Sequence, residues 1–382
     1  MAGDEQRRQL KSARRVVVKL GTRVLSSDGG GVSHERLAGL AAEAEALRER
    51  GVELVVVTSG AIGAGAAALG LPRRPTDIPT EQAAASVGQG LLMHAYASAF
   101  GARGITVGQV LLTQSDLRDR QRYINARNAL EALLARGVVP VVNENDAVAV
   151  DELQFGSRFG DNDTLSALVA SLVGADVLVI LTDQEGLLSS DPKVAADAQR
   201  ISLVTDIDAV ESLAGGAGHE HAKGGMETKI KAARVVTSCG IPLVITEGRR
   251  AESPVISVLS GEDVGTLFAP SEGRLSARRR WMAFALEARG RLVVDAGAAR
   301  ALRDGKKSLL PSGVLSAEGV FQGGDMVTVV TESGEEIGRG ITSYSSDEVA
   351  RIAGAKTSEI ETILGYKYRD EVIHRDDLAV SD

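Results

Sequence analysis

A dense set of acids and amides follows an apolar segment near the middle of the chain. Oxygen-rich side chains at the end of a strand can hold a cation, such as a metal ion, an ammonium group or a lysine. Asn, Asp and Gly are also the residues that turns select, so a solvated, turn-rich hairpin explains the composition equally well. The cluster alone does not decide between these readings. Its members are Asn143, Glu144, Asn145, Asp146, Asp151, Glu152, Asp161, Asn162 and Asp163.

A lysine lies inside a second apolar segment, Val-Val-Val-Lys-Leu, where Lys19 is the charged residue. Burying an unpaired lysine is costly, so its side chain must either reach water or find an anion. We consider both: a strand-end lysine that extends to solvent, and a lysine paired with a substrate phosphate or with a carboxylate of the acidic cluster.

A glycine-rich segment opens a predicted helix further along the chain. Consecutive glycines let backbone N–H groups approach a phosphate, and the N-terminus of a helix favours an anion. Lys229 would lie in the first helical turn, where a cation opposes the helix dipole, so an anionic ligand explains it better. The alternative is an ordinary turn followed by a surface lysine. The segment comprises Lys223, Gly224, Gly225, Met226, Glu227, Thr228 and Lys229.

Length and composition limit the class of protein. A chain of 382 residues exceeds what one core usually organises, which predicts two domains. The net charge of −8 argues against a general nucleic-acid binder, and Cys239, the single cysteine, excludes an internal disulfide. The N-terminal segment lacks the apolar core of a signal peptide, and the longest apolar run is too short for a membrane span. We therefore expect a cytoplasmic protein without a membrane partner.

Apolar strands alternate with amphipathic helices along the first two-thirds of the chain. This pattern predicts an α/β fold with an open, mostly parallel sheet covered by helices on both faces. The composition changes after Phe268, where residues 269–276 read as a linker to a small, mainly-β second domain. We predict strands at 15–20, 54–58, 106–112, 138–142, 177–181 and 243–245, and helices at 33–50, 80–100 (capped by Thr80), 123–136, 165–172 and 228–238.

The unusual polar residues recur where predicted strands end. Ligands of open α/β sheets bind outside the carboxyl ends of the strands. Four strands would thus deliver polar residues to one edge of the sheet, which favours a binding site there. The strand ends are Lys19-Leu20-Gly21-Thr22, Thr58-Ser59-Gly60-Ala61, Asn143-Glu144-Asn145-Asp146 and Thr182-Asp183.

Several familiar sites can be set aside. Residues 63–68 match a dinucleotide-binding glycine pattern but lack the strand-end acid that should follow. His219 and His221 have no third metal ligand at suitable spacing, and no Walker A sequence occurs. A glycine-rich segment, two lysines and an acidic cluster without a P-loop indicate phosphoryl transfer in a less common architecture.

At this point the ordered motifs resemble the amino-acid kinase family, specifically its members that phosphorylate L-glutamate. The C-terminal motifs RRRWMAFA, KKSLLPSGV and GDMVTVV, followed by RIAG and ILGY, resemble a PUA domain. Together the resemblance covers nearly the whole chain. The kinase-like motifs are VVVKLGT (16–22), VVTSGAIGAG (56–65), VGQVLLT (107–113), PVVNENDAV (140–148), GDND (160–163), LTDQEGL (181–187) and GGMETK (224–229).

This resemblance implies an amino-acid kinase domain at 1–268, a PUA domain at 277–368 and a C-terminal tail at 369–382. It implies ATP-dependent phosphorylation of the γ-carboxylate of L-glutamate to L-glutamyl 5-phosphate, the first step of proline biosynthesis. It further implies Mg²⁺ held mainly by the phosphates of ATP, proline as a feedback inhibitor, and a homo-oligomer, dimer or tetramer.

The resemblance also assigns roles to residues of this chain. Lys19 and Lys229 would contact the phosphates, and Asp163 would hold both lysines. The glutamate-binding positions would be Ser59, Asp146 and Asn162, with Asn145, Asp161, Gly60 and Ala61 close by. The ATP-binding positions would be Lys19, Thr182, Asp183, Lys223, Gly224, Gly225, Met226, Glu227, Thr228 and Lys229.

Two other functions stay open at this stage. PUA domains often bind RNA and residues 274–310 are basic, although the chain as a whole is acidic. A related kinase acting on acetylglutamate, aspartate or carbamate is the second alternative, which the PUA domain and the NENDAV motif disfavour. The chain also departs from the family in a longer loop before Gly160 and in Ala222-Lys223, where the family commonly has Gly-Thr.

Overall fold

The computed structural model describes residues 2–26, 31–149, 162–190, 198–210, 225–249, 253–270, 288–303 and 307–380. The chain divides into two compact units, Met1–Arg274 and Leu275–Asp382. Most of the predicted linker lies outside the described residues, so the exact domain boundaries stay a prediction.

An eight-stranded sheet, in the order β3-β4-β2-β1-β5-β7-β8-β6, is the centre of the first unit. The six strands from β3 to β7 in that order pair in parallel, whereas β8 runs antiparallel to β7. The predicted mostly parallel sheet is therefore confirmed. The strands are β1 (Arg15–Leu20), β2 (Glu53–Val57), β3 (Val107–Leu112), β4 (Val139–Glu144), β5 (Val177–Thr182), β6 (Leu203–Val204), β7 (Leu243–Glu247) and β8 (Thr266–Phe268).

Helices cover this sheet, and the five predicted helices are present as α3, α5, α7, α8 and α9, with bounds within three residues of the prediction at each end. The helices α1, α2, α4, α6 and α10 and the strands β6 and β8 were not predicted. None of the described helices combines the length and the apolarity needed to cross a membrane. The helices are α1 (Ala2–Gln9), α2 (Thr22–Leu25), α3 (His34–Glu49), α4 (Ala61–Ala68), α5 (Ile78–Gly101), α6 (Gln114–Arg118), α7 (Arg120–Leu134), α8 (Asn162–Val173), α9 (Met226–Ser238) and α10 (Pro254–Leu259).

The central strands are buried on both faces because nearly all of their side chains are Val, Ile or Leu. In the pairing register, Lys19 of β1 lies opposite Val57 of β2 and Ile180 of β5. The carboxyl ends of these three strands are therefore level. This register places the polar residues that follow β1, β2 and β5 at one edge of the sheet.

The cap predicted for α5 is wrong. The helix begins at Ile78, and the side chain of Asp77 accepts a hydrogen bond from the backbone N–H of Thr80 at 3.0 Å. Pro79 fits the first turn, where its missing N–H costs no helical hydrogen bond, so the helix can start before Thr80. Asp77 is thus the N-cap residue and Thr80 lies inside the first turn.

Helices α4 and α5 touch through their backbones. A Cβ atom built on Gly65 would lie 1.7 Å from the carbonyl oxygen of Ala84, and one on Gly88 would lie 1.8 Å from that of Ala61. A side chain at either position would force the helices apart. Gly88 is therefore a packing residue, which explains a glycine that otherwise weakens a helix.

Two glycines of α5 allow a matched test of this contact. We expect Gly88→Ala to destabilise the protein by about 1–3 kcal/mol because the methyl group overpacks the contact with α4. Gly90→Ala should instead stabilise it by about 0.5–1 kcal/mol, since alanine favours a helix and nothing lies within 4 Å of the added Cβ. Denaturant unfolding of both variants measures the difference, and equal stabilities would contradict the packing role of Gly88.

A buried acid of α3 caps α10. Oε1 of Glu43 accepts the backbone N–H groups of Val255 and Ile256 at 2.7 and 3.1 Å. Burial raises the pKa of Glu43 from 4.5 to about 7, although the two backbone hydrogen bonds act in the opposite direction. Glu43 therefore stays protonated up to a higher pH in the folded protein than in the unfolded chain.

This pKa shift predicts a pH-dependent effect of Glu43→Gln. The folded pKa is raised, so the stability linked to protonation is present below about pH 4.5 and is lost as the pH rises through about 7. Glutamine keeps the accepting oxygen but has no charge to desolvate. The variant should therefore gain melting temperature relative to the parent at about pH 8 and less at about pH 5. Glu49→Gln, at an exposed position of the same helix, is the control, and a pH-independent difference would contradict the prediction.

The second unit contains a five-stranded sheet, in the order β10-β9-β11-β12-β13. Strands β9 and β11 are parallel, and the other pairs are antiparallel. The predicted small, mainly-β domain is confirmed. Strand β13 lies within the segment predicted as a tail and pairs with β12. The elements are β9 (Gly290–Val294), α11 (Ala296–Arg303), β10 (Val314–Gly319), β11 (Met326–Thr331), β12 (Glu336–Ile341), α12 (Ser346–Ile352), α13 (Ile360–Leu364) and β13 (Leu378–Val380).

Candidate active site

One carboxylate contacts two lysines at the edge of the first sheet. Oδ1 of Asp163 lies 2.6 Å from Nζ of Lys19, and Oδ2 lies 3.0 Å from Nζ of Lys229. The exposed fractions are 0% for Asp163 and 5% for each lysine. The three residues, which we call the lysine–aspartate cluster, are therefore brought together in a largely desolvated environment.

Each member of the cluster comes from a different element. Lys19 is near the end of β1, Asp163 lies in the first turn of α8, and Lys229 lies in the first turn of α9. A carboxylate in the first turn is favoured by the helix dipole, whereas a lysine there is not. Its contact with Asp163 offsets that disadvantage for Lys229.

The cluster has more positive than negative charge, because two ammonium groups share one carboxylate. Burial opposes ionisation of Asp163, but attraction to Lys19 and Lys229 and their hydrogen bonds hold the pKa of its carboxyl below the ordinary value. The N-termini of α8 and α9 also lie at this cluster. A buried site with a formal surplus of one positive charge is suited to an anion such as a phosphate.

The start of α9 contributes further polar groups. The hydroxyl oxygen of Thr228 lies 2.8 Å from Oδ2 of Asp163 and 2.7 Å from the carbonyl oxygen of Gly225, and the hydroxyl can donate a hydrogen bond to either. Nζ of Lys229 donates to the same carbonyl oxygen at 3.4 Å. Glu227 instead pairs with the exposed Lys231 at 2.7 Å. Lys223 and Gly224 lie outside the described residues.

A row of side-chain hydrogen bonds lies beside the cluster. Nδ2 of Asn162 donates to Oγ of Ser59 at 3.0 Å and to Oδ1 of Asn143 at 3.3 Å. Nδ2 of Asn143 in turn donates to Oε1 of Gln89 at 2.8 Å. Because Asn162 immediately precedes Asp163, this amide row (Ser59, Asn162, Asn143 and Gln89) adjoins the lysine–aspartate cluster.

The residues after β2 form a tight turn into α4. Gly60 has φ of +100°, a conformation that a residue with a side chain rarely adopts, and it serves as the N-cap of α4. Ala61 is the first residue of that helix. The turn therefore brings Gly60 and Ala61 to the end of β2, directly after Ser59.

The residues after β4 form a second turn. The backbone N–H of Asn145 donates to the carbonyl of Leu112 at 3.0 Å, and Val148 and Ala149 donate to the carbonyl of Asn145. Asn145 and Asp146 are both half-buried. Three further acids of the acidic set found in the sequence, Asp151, Glu152 and Asp161, lie outside the described residues, as does the longer loop before Gly160.

Comparison with known proteins identifies the family. Residues 14–247 match the amino acid kinase family and residues 290–364 match the PUA domain. Glutamate 5-kinase of Moorella thermoacetica is 50% identical over 381 residues, which cover 100% of both chains. Glutamate 5-kinase of Myxococcus xanthus is 50% identical over 375 residues, covering 98% of each chain.

The chain belongs to the glutamate 5-kinase family. Among solved structures, the UMP kinase of Bacillus anthracis matches with a TM-score of 0.46 at 17% identity, covering 67% of this chain and 96% of that chain. This likeness is too slight to bear on activity.

Two of the positions that the family resemblance assigns to ATP, Thr182 and Asp183, lie at the end of β5, which pairs with β1. The backbone N–H of Gly21 donates to the carbonyl of Leu181 at 3.1 Å, which joins the ends of β1 and β5. The hydroxyl of Thr182 donates to Oδ1 of Asp183 at 3.2 Å, and Arg23 pairs with Oδ2 at 2.9 Å. Burial acts against ionisation of Asp183, but the hydrogen bond from Arg23 helps to hold its carboxyl pKa below the ordinary value.

Gln89 and Arg23 contact residues of the candidate site but were not predicted as site residues. Gln89 lies within a helix, far in sequence from the strand ends that guided the prediction. A signal for it does exist in the sequence: it directly follows Gly88, whose missing side chain marks a close backbone approach. Arg23 directly follows the strand-end segment Lys19-Leu20-Gly21-Thr22, so extending that segment by one residue would have included it.

Proposed function

We propose that this chain transfers the terminal phosphoryl group of ATP to the γ-carboxylate of L-glutamate and forms L-glutamyl 5-phosphate. Membership of the glutamate 5-kinase family supports the reaction, which is the first step of proline biosynthesis. The observation that carries the proposal is the buried cluster in which Lys19 and Lys229 share Asp163. Its surplus positive charge suits a group that transfers as an anion.

The cluster contributes by positioning and by neutralising charge. The attacking γ-carboxylate is already ionised at neutral pH, so the reaction needs no general base. Phosphoryl transfer depends mainly on alignment of the reactants and on stabilisation of the charge at the transferring group. Lys19 and Lys229 supply that charge, and Asp163 fixes both ammonium groups before the substrates arrive, so little reorganisation is needed during transfer.

We propose that Mg²⁺ enters with ATP, held mainly by its phosphates, and neutralises charge on them. Both oxygens of Asp163 contact lysines, so this carboxylate is suited to positioning and not to ligating the metal. Thr182, Asp183 and the segment from Gly225 to Lys229 are the proposed contacts for ATP within the described residues.

We assign glutamate to a position beside the amide row. Oδ1 of Asn162 is buried and has no hydrogen-bond partner among the described residues, so it can accept a hydrogen bond from the α-ammonium group. Ser59, Asn145 and Asp146 are the other proposed side-chain contacts. Proline has the α-ammonium and α-carboxylate groups that glutamate also has. This shared chemistry supports feedback inhibition by proline that binds at the glutamate position. We further propose that the protein is cytoplasmic and assembles as a homo-oligomer.

The substrate assignment predicts that the purified protein consumes ATP only with both L-glutamate and a divalent cation. A site built to bind the amino-acid group rejects analogues that lack a bonding partner, by as much as ~10⁴-fold. ATP consumption and hydroxylamine trapping of the acyl phosphate measure turnover of glutamate, N-acetylglutamate and aspartate. Equal turnover of N-acetylglutamate or aspartate would exclude the proposed substrate.

The proposed roles of the cluster predict a selective loss of kcat. Lys19→Ala, Lys229→Ala and Asp163→Asn should each lower kcat by about 10²–10³-fold, because stabilisation of the transferring group is lost. Since the three residues act as a unit, combined substitutions should cost much less than the product of the single effects. Lys231→Ala removes an exposed lysine of the same helix and is the control. Near-parental kcat in any cluster variant would contradict the role of that residue.

A further inference from the structure

The amide row has one unused donor and one unused acceptor. Its hydrogen bonds run from Gln89 through Asn143 and Asn162 to Ser59. Nε2 of Gln89 and Oδ1 of Asn162 are both buried and have no hydrogen-bond partner among the described residues. Buried polar groups are nearly always paired in folded proteins, so two such atoms in one row indicate a missing ligand.

The two atoms fit the two charged groups of an amino acid. The N–H of an amide can donate to a carboxylate, and the carbonyl oxygen of an amide can accept from an ammonium group. An amino acid presents both groups on one carbon atom. The row therefore has the polarity that recognition of a zwitterion requires.

The geometry points to Gln89 as a substrate-binding residue whose Nε2 donates to the α-carboxylate of glutamate, an inference that rests on the proposed function. Asn162 adjoins Asp163, so its end of the row lies next to the lysine–aspartate cluster, where the γ-carboxylate must react. Gln89 is two hydrogen bonds further along the row. It therefore meets the part of the substrate that points away from the lysines, which is the α-carboxylate.

The packing of α5 explains how Gln89, a helical residue, reaches the amide row. Gly88 touches the carbonyl of Ala61, the first residue of α4, because it has no Cβ atom. This contact holds α5 against the turn that follows β2. Gln89, the next residue, is thereby held with its Oε1 bonded to Asn143, a side chain that is 1% exposed. Its amide is thus oriented before the substrate binds.

Gln89→Glu tests the contact because it keeps Oε1 for Asn143 and replaces the donor with an acceptor. We expect KM for glutamate to rise about 10–100-fold, the effect of losing one hydrogen bond to a charged group. KM for ATP should stay at the parental value, and kcat should change little because the contact exists before and during transfer. Gln322→Glu, at an exposed position of the second unit, controls for the added charge.

Two glutamate analogues separate a direct contact from a positioning role. Glutarate lacks the α-ammonium group, and 4-aminobutyrate lacks the α-carboxylate; both are measured as competitive inhibitors of glutamyl hydroxamate formation. In Gln89→Glu, and in Gln89→Met as an uncharged second variant, the inhibition constant of glutarate should rise about 10–100-fold. That of 4-aminobutyrate should not rise.

Three results would overturn the inference or its basis. Unchanged KM for glutamate in both variants excludes the contact. Equal increases in the inhibition constants of glutarate and 4-aminobutyrate would show that Gln89 acts only through Asn143. That result also excludes a direct contact between Gln89 and the α-carboxylate. The parent is assayed first, so that absence of glutamate-dependent turnover there rejects the proposed function itself, separately from the role of Gln89.

Discussion

The site depends on one buried carboxylate that holds two ammonium groups. Removing three charges from water is expensive, and the attraction between Asp163 and the two lysines recovers part of that cost. The formal charge of the lysine–aspartate cluster stays positive, so the cluster is suited to an anion such as a phosphate. Lys19, Asp163 and Lys229 must therefore stay fixed relative to one another, and the surrounding fold satisfies this requirement through three separate elements.

The parallel sheet provides this fixed arrangement. Strands β1, β2 and β5 end level with one another, and the backbone bond from Gly21 to the carbonyl of Leu181 ties two of those ends together. The N-termini of α8 and α9 add oriented backbone N–H groups at the same edge. Side chains held in this way provide electrostatic stabilisation without having to reorganise during the reaction.

Local patterns in the sequence were sufficient for six strands of the first unit (β1 to β5 and β7), for the polar residues at their ends and for the unusual position of Lys229. The family resemblance pointed to Asp163 as the residue between the lysines, whereas periodicity alone could not, because Asp163 and Lys229 are 66 residues apart. The cap at Asp77, the buried Glu43 and the row ending at Gln89 were missed. The last two depend on contacts between distant segments, which the register and packing of the whole unit determine.

The acidic cluster illustrates why such contacts matter. Its composition suited a cation site and a solvated hairpin equally well. In the structure, Asp163 contacts the ammonium groups of two lysines. Asn143 and Asn162 instead form hydrogen bonds with uncharged side chains. Asn162 and Asp163 are consecutive in the first turn of α8, and successive helical residues project in different directions. One turn of helix thus joins the amide row to the charged cluster. Under the proposed roles of these residues, a displacement of α8 would disturb substrate alignment and charge stabilisation together.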